Sequence, residues 1–236
     1  MSAPVSPIGF GLMCKPPRPG LSKTRLAAGI GAEPAARLSA AFLDDCAAAA
    51  LEAGTLSPLN HVAYYRPRDG ADEIGVVLGP QWQLEFADSG DLGATMRECL
   101  AHLLKRCPAG AMIMGADIPM IDPNVIDQAA RALRDTGTTD VVIAPTADGG
   151  YGLIGVRSIA TTQQLFEDIS WSTSQVFEQT LARARSAGLK FSLLDEQRDI
   201  DDAGDLHWLR ATIERHPTRT PATRRALASL ALPSLR

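Results

Sequence analysis

The sequence predicts an α/β fold built on a mostly parallel sheet, and three observations carry that prediction. Short apolar runs closed by glycine or proline alternate with longer stretches of helical period, the pattern of strands joined by crossover helices. The run at 111–114 is wholly apolar, as a strand covered on both faces would be. The length of 236 residues, with 45% apolar and 21% charged side chains, suits a full core and argues against disordered, collagen-like and membrane-spanning classes.

In chain order, Ile8 to Met13 reads as the first buried strand, closed by Pro16, Pro17, Pro19 and Gly20. A helix starts near Thr24 and another spans Pro34 to Ala53, where Leu38, Phe42, Cys46 and Ala49 recur three and four residues apart. His61 to Tyr65 and Trp82 to Phe86 read as strands. Leu92 to Cys107 is an amphipathic helix, with Met96, Cys99, Leu100, Leu103, Leu104 and Cys107 in one stripe and Arg97, Glu98, Lys105 and Arg106 on the polar face. A strand at Ala111 to Met114, a helix at Pro123 to Arg134 and strands at Val141 to Ala144 and Tyr151 to Val156 follow. A helix at Thr173 to Ala187, a strand at Phe191 to Leu194 and a helix at Ala203 to Glu214 close the rhythm. Residues 1–216 thus read as a single domain. Residues 217–236 read as a basic C-terminal tail, with prolines around a short helical stretch whose order the sequence leaves open.

The net charge is −4, but the tail carries Arg219, Arg224, Arg225 and Arg236 and no acid. The body therefore sets nineteen Lys and Arg against twenty-seven Asp and Glu, a net of −8. An acidic body is a poor nucleic-acid binder, because phosphate contacts call for a basic face. Cys14, Cys46, Cys99 and Cys107 form no CxxC pair and read as buried apolar residues of a reducing compartment. The N-terminus lacks a basic leader and no run is long enough to span a bilayer, so a cytoplasmic protein without membrane contact is expected. His61, His102, His207 and His216 pair with no Ser or Cys nucleophile motif, which argues against hydrolase chemistry.

Four constellations could carry chemistry. The loop after the first strand holds Lys15, Arg18, Lys23 and Arg25 with no acid, where open α/β sheets bind ligands and where a helix N-terminus adds free N–H groups. It reads as a phosphate-holding loop, or more plainly as a solvated basic loop. Asp117 follows the 111–114 strand, and a carboxylate there suits either a divalent cation or a turn cap. Asp199 and Asp201 alternate onto one side of an extended segment, so both could face one ion, while Asp201 or Asp202 could instead cap the helix that holds Asp205. Asp148, Gly149, Gly150 and Tyr151 form either a hairpin turn or a backbone that lets a ligand approach closely. Trp171 could face a substrate, with Ser172 or Thr173 as an N-cap.

Six motifs in this order resemble one family: Lys15 to Leu26, Gly90 to Gly93, Gly115 to Pro119, Asp148 to Tyr151, Trp171 to Thr173, and Asp199, Asp201, Asp205, Leu206. The chain resembles the bacterial DUF2064 proteins of the nucleotide-diphospho-sugar transferase superfamily and, more distantly, 2-phospholactate guanylyltransferases and molybdenum-cofactor nucleotidyltransferases. The resemblance implies a Rossmann-like three-layer αβα sandwich of the GT-A type, using Mg²⁺ or Mn²⁺ with a nucleotide or nucleotide-sugar donor and a small-molecule acceptor. By similarity, Asp117 and Asp201 would hold the metal with Asp199 in support, and Lys15, Arg18, Lys23, Arg25 and Asp91 would bind the nucleotide and its phosphates. Gly149, Gly150, Tyr151, Trp171, Ser172 and Thr173 would meet the second substrate, with Asp148 as the candidate base. Two positions depart from the pattern: Asp117 stands alone rather than in an Asp-x-Asp, and Ala203 replaces the usual Pro.

The expected function is metal-dependent glycosyl transfer from an NDP-sugar. The alternatives are nucleotidyl transfer with pyrophosphate release and a non-catalytic nucleotide-binding scaffold. Oligomeric state is left open, a homodimer being one option.

Overall fold

The computed structural model describes residues 5–216 and 218–230. The leader reading at residues 1–4 and the tail positions 217 and 231–236, Arg236 among them, lie outside those residues. Seven strands form one sheet: β1 (Ile8–Cys14), β2 (Leu59–Tyr65), β3 (Gln83–Phe86), β4 (Ala111–Gly115), β5 (Val141–Pro145), β6 (Tyr151–Val156) and β7 (Phe191–Leu193). Their order is β3-β2-β1-β4-β6-β5-β7, and every pairing is parallel except those of β6, which runs antiparallel to β4 and β5. The expected mostly parallel sheet is therefore present, with β6 reversed because a five-residue hairpin turn, 146–150, joins it to β5.

The helices are α1 (Thr24–Ile30), α2 (Ala32–Leu56), α3 (Ala71–Leu78), α4 (Leu92–Arg106), α5 (Pro123–Arg134), α6 (Ile159–Leu165), α7 (Val176–Ser186), α8 (Ala203–Arg215) and α9 (Pro221–Ser229). Strand alternation divides them between two faces. Ile8, Phe10, Leu12 and Cys14 point to a core shared with α2, α3 and α5, while Val62, Tyr64, Ile113 and Ile154 pack on α4, α6 and α7. On β1 the second face carries Gly9 and Gly11 ahead of Met13, and a β-carbon at Gly9 would lie 2.8 Å from Leu103, so α4 approaches the centre of the sheet only because that side chain is absent. A third apolar cluster joins Leu26, Leu38 and Phe42 to Ile200, Leu206 and Leu209, and so ties α1, α2 and α8 together beside the sheet.

Two helices escape the sequence pattern. α3 carries Gly75 in its middle, and α6 reads Ile-Ala-Thr-Thr-Gln-Gln-Leu, rich in β-branched residues that favour helices weakly; tertiary packing decides both. α7 starts at Val176 rather than Thr173, behind Gln175, which makes no side-chain cap, so neither Ser172 nor Thr173 is the N-cap. Residues 221–229, read within the basic tail, form α9, whose first N–H groups at Ala222 and Thr223 donate to the buried Asp45 carboxylate on α2 at 2.9 and 2.8 Å. Among the described residues no helix is long and apolar enough to cross a membrane. All four cysteines are free and buried.

Candidate active site

Parallel strands send their following loops to one edge of a sheet, and crevices form there. The register sets Met13 beside Gly115, Met114 beside Leu153 and Pro145 beside Tyr151, so the loops after β1, β4 and β5 meet the start of β6 at a single end. The segment before α8 is drawn to the same end: Ile200 N–H donates to the Asp117 carbonyl (2.9 Å) and Gln197 N–H to the Pro145 carbonyl (2.8 Å). Together these loops enclose a cavity of about 830 Å³.

Of the residues singled out from sequence, Lys15, Lys23, Arg25, Asp117, Asp148, Gly150, Tyr151, Trp171, Ser172, Thr173, Asp199 and Asp201 line this cavity. Three do not. Arg18 turns away and donates to Glu73 through two hydrogen bonds (2.6 and 2.9 Å) and to Asp69 at 2.9 Å, tethering the loop to α3 and the turn before it, so its charge is taken up by carboxylates outside the cavity. Asp91 caps α4 by accepting from Ala94 N–H (2.7 Å) and borders a smaller cavity of about 360 Å³ instead. Gly149 closes the β5–β6 turn with φ +89°, so near the Ser174 backbone that a β-carbon would collide with it.

The cavity's electrostatics centre on Lys23. Its ammonium donates to Asp201 at 2.7 Å and to Asp117 at 3.3 Å, with its side chain only 10% exposed. Burial works to lower its pKa, but the two carboxylates outweigh that and leave it raised. Arg25 binds the other Asp201 oxygen. Burial likewise works to raise the Asp201 pKa, and Lys23 and Arg25 reverse the direction and hold it below the ordinary carboxylate range. Among the described residues no cation pairs with Asp199. Burial, with the negative charges of Asp148, Asp117 and Asp201, pushes its pKa up to about 7.

Asp148 serves the turn and the cavity at once. Its Oδ1 accepts from Thr146 Oγ1 (2.7 Å) and Gly150 N–H (2.9 Å), which fixes the hairpin, so both sequence readings of this motif hold. The Tyr151 hydroxyl is buried, with no hydrogen-bond partner within reach among the described residues. Trp171 borders both cavities; its indole lies over Gly93, where a β-carbon would come within 2.5 Å of the ring. Asp202 caps α8 in a reciprocal box with Asp205, which settles the choice left open between Asp201 and Asp202 and leaves the Asp201 side chain to the cavity.

Sequence reading passed over Tyr64, Arg66, Thr95 and Thr146, all lining the cavity. Arg66 follows the last residue of β2 and Thr146 the last of β5, so the rule that ligands gather beyond the carboxyl ends of strands was the available signal. Tyr64 and Thr95 carried none, since each lies within its element and reaches the cavity only through packing.

The donor chemistry fits a hard divalent cation in one way. Mg²⁺ commonly takes one or two carboxylates and completes its shell with phosphate oxygens and water. Asp117 and Asp201 supply such a pair, while among the described residues no three His, Cys, Asp or Glu side chains gather into a ready-made cage. The fit is to an ion shared with a phosphate ligand.

Solved structures share this architecture. A candidate nucleotide-diphospho-sugar transferase from Desulfovibrio desulfuricans G20 is 28% identical, superposes with a TM-score of 0.85 and covers 95% of each chain. A cytidylyltransferase from Leptospira borgpetersenii is 13% identical, with a TM-score of 0.60 over 95% of this chain and 93% of that one. CMP:2-keto-3-deoxy-manno-octonic acid synthetase, solved with CTP, is 12% identical, with a TM-score of 0.58 over 89% and 100%. No curated protein matches in sequence. The fold is thus of the nucleotide-diphospho-sugar transferase class. Within it, the sequence profile of the family described as an uncharacterized protein conserved in bacteria (DUF2064) matches residues 36–173, more than half of the chain, and the protein belongs to that family.

Proposed function

We propose that the protein is a metal-dependent transferase that moves a sugar from a nucleoside-diphosphate sugar to a small acceptor. The observation that carries this reading is the juxtaposition, in one cavity at the carboxyl ends of the parallel strands, of the cations Lys15, Lys23 and Arg25 with the carboxylates Asp117, Asp199 and Asp201. The 28% identical D. desulfuricans protein supports the same class of donor.

Breaking a sugar–phosphate bond leaves negative charge on the departing diphosphate, and groups that stabilise this charge more than the ground state lower the barrier. Lys15, in the loop after β1, and Arg25, in the first turn of α1, would neutralise it. Asp117 and Asp201 would hold Mg²⁺ or Mn²⁺, which when bound supplies Lewis-acid stabilisation of the phosphate oxygens. Trp171 offers an aromatic wall to the transferred group or the acceptor, and Asp148, anchored through one oxygen, is the candidate base.

A second reading, nucleotidyl transfer from a nucleoside triphosphate, draws on the lone Asp117 after β4 and on the number of cations, since Arg66 joins Lys15, Lys23 and Arg25 along the cavity and a triphosphate needs more positive charge than a diphosphate. Product analysis separates the two. Incubation with Mn²⁺, nucleotide-sugars and acceptor mixtures is expected to release free nucleoside diphosphate. Pyrophosphate release from a triphosphate would establish the second reading instead, and neither product from any donor would exclude both.

A further inference from the structure

We infer that Lys23 is the built-in counter-ion of the Asp117–Asp201 pair, so that the free protein holds a divalent cation poorly and takes it up together with a polyphosphate. The inference rests on the reading of the cavity as a polyphosphate site and adds the order in which that site fills.

Geometry comes first. The Lys23 ammonium stands 2.7 Å from one Asp201 oxygen and 3.3 Å from one Asp117 oxygen. A Mg²⁺ ion held by Asp117 and Asp201 would draw on the same two carboxylates that Lys23 now pairs. Ion and ammonium thus compete for the same two negative charges. The second Asp201 oxygen is no easier to reach, because Arg25 binds it.

Next comes the cost of moving Lys23. Its side chain is largely buried, and a buried ammonium stripped of its partners is strongly unfavourable. A metal ion arriving alone would strip it of both partners and add two positive charges beside it. A metal arriving with a polyphosphate brings the replacement: phosphate oxygens accept from the displaced ammonium while the ion takes the carboxylates, and every charge remains paired. The loop restricts how far Lys23 can withdraw. Its backbone is left-handed (φ 52°) at the start of α1, and the preceding loop is fastened to α3 through Arg18, Asp69 and Glu73. Metal and polyphosphate should therefore bind with positive, reciprocal coupling.

Protein-retained Mn²⁺, measured by ultrafiltration of the full chain with and without inorganic pyrophosphate, tests this once the Mn²⁺–pyrophosphate complex in solution is allowed for. For the wild type, pyrophosphate is expected to tighten Mn²⁺ retention at least tenfold. Lys23→Met is expected to retain Mn²⁺ alone at least tenfold more tightly than the wild type. It should also melt lower than the wild type without metal and recover with Mn²⁺, as a ligand selective for the native state requires. If Lys23→Met does not fold, Lys23→Gln takes its place, and absence of the wild-type coupling is enough by itself to overturn the inference. Equal retention with and without pyrophosphate, or equal retention by wild type and variant, overturns the counter-ion role while leaving the site reading intact. No retained Mn²⁺ under any condition overturns the metal–polyphosphate reading and the counter-ion role together.

Discussion

Asp117 and Asp201 show how differently two carboxylates in one cavity can be held. Asp201 is fixed by Lys23 and Arg25, whereas Asp117 shares only Lys23 and keeps its side chain 40% exposed. Asp117→Asn is therefore the cleaner probe of chemistry, since it removes charge without leaving a buried cation unpaired. It is expected to lower kcat/KM at least 100-fold, about 2.7 kcal/mol of transition-state stabilisation, with little change in melting temperature. Gly93 gives a second prediction at this scale. A β-carbon there would press within 2.5 Å of the Trp171 indole, so Gly93→Ala should cost about 1–3 kcal/mol in urea unfolding. It should also shift tryptophan emission, and the shift should vanish in a Trp171→Phe background. At this scale sequence was least informative about partners. Arg18 has the same charge and loop as Lys15, yet Asp69 and Glu73, more than fifty residues away, take it out of the cavity.

Among the elements, α9 is the one whose placement depends most on a single side chain. Its N-terminal N–H groups at Ala222 and Thr223 end on Asp45, which is 5% exposed. Asp45→Ala would leave both donors without a partner in a dry setting, at an expected cost of about 2–4 kcal/mol. Limited proteolysis should then cleave ahead of α9 first, and Asp45→Asn, which keeps an acceptor, should lose less. Strands and long helices were legible because period and punctuation mark them, as at β1, α4 and α5. The exceptions, α3 and α6, are short and built from residues with weak helix preference, so their conformation comes from the sheet face they cover.

Across the whole molecule, His61 sets an acid limit. It lies against Phe10 and Trp82 with Nε2 3.1 Å from the Ala50 carbonyl, and burial lowers its pKa below the ordinary value near 6.5. In that window His61 binds more protons in the unfolded chain than in the folded one, whereas Asp199, pushed up to about 7, does the reverse. The His61 contribution is therefore complete above pH 6.5 and is lost as pH falls through the lower folded value. The midpoint of wild type minus that of His61→Gln should therefore shrink as pH falls through this range, a difference from which the Asp199 contribution cancels.

What the sequence determined by itself was the α/β class, the order of strands and helices, and the loops that bear charge, because periodicity, glycine and proline act over a few residues. It also determined which residue types could hold phosphate or metal. Only the tertiary structure decided their partners: that Lys23 lies between Asp117 and Asp201, that Arg18 and Asp91 serve the scaffold, and that Arg66 and Tyr64 reach the cavity. The physical reason is that an ion pair depends on distance in space. Lys23 and Asp201 are 178 residues apart along the chain, and only the parallel register of the sheet and the docking of the segment before α8 bring them within 2.7 Å.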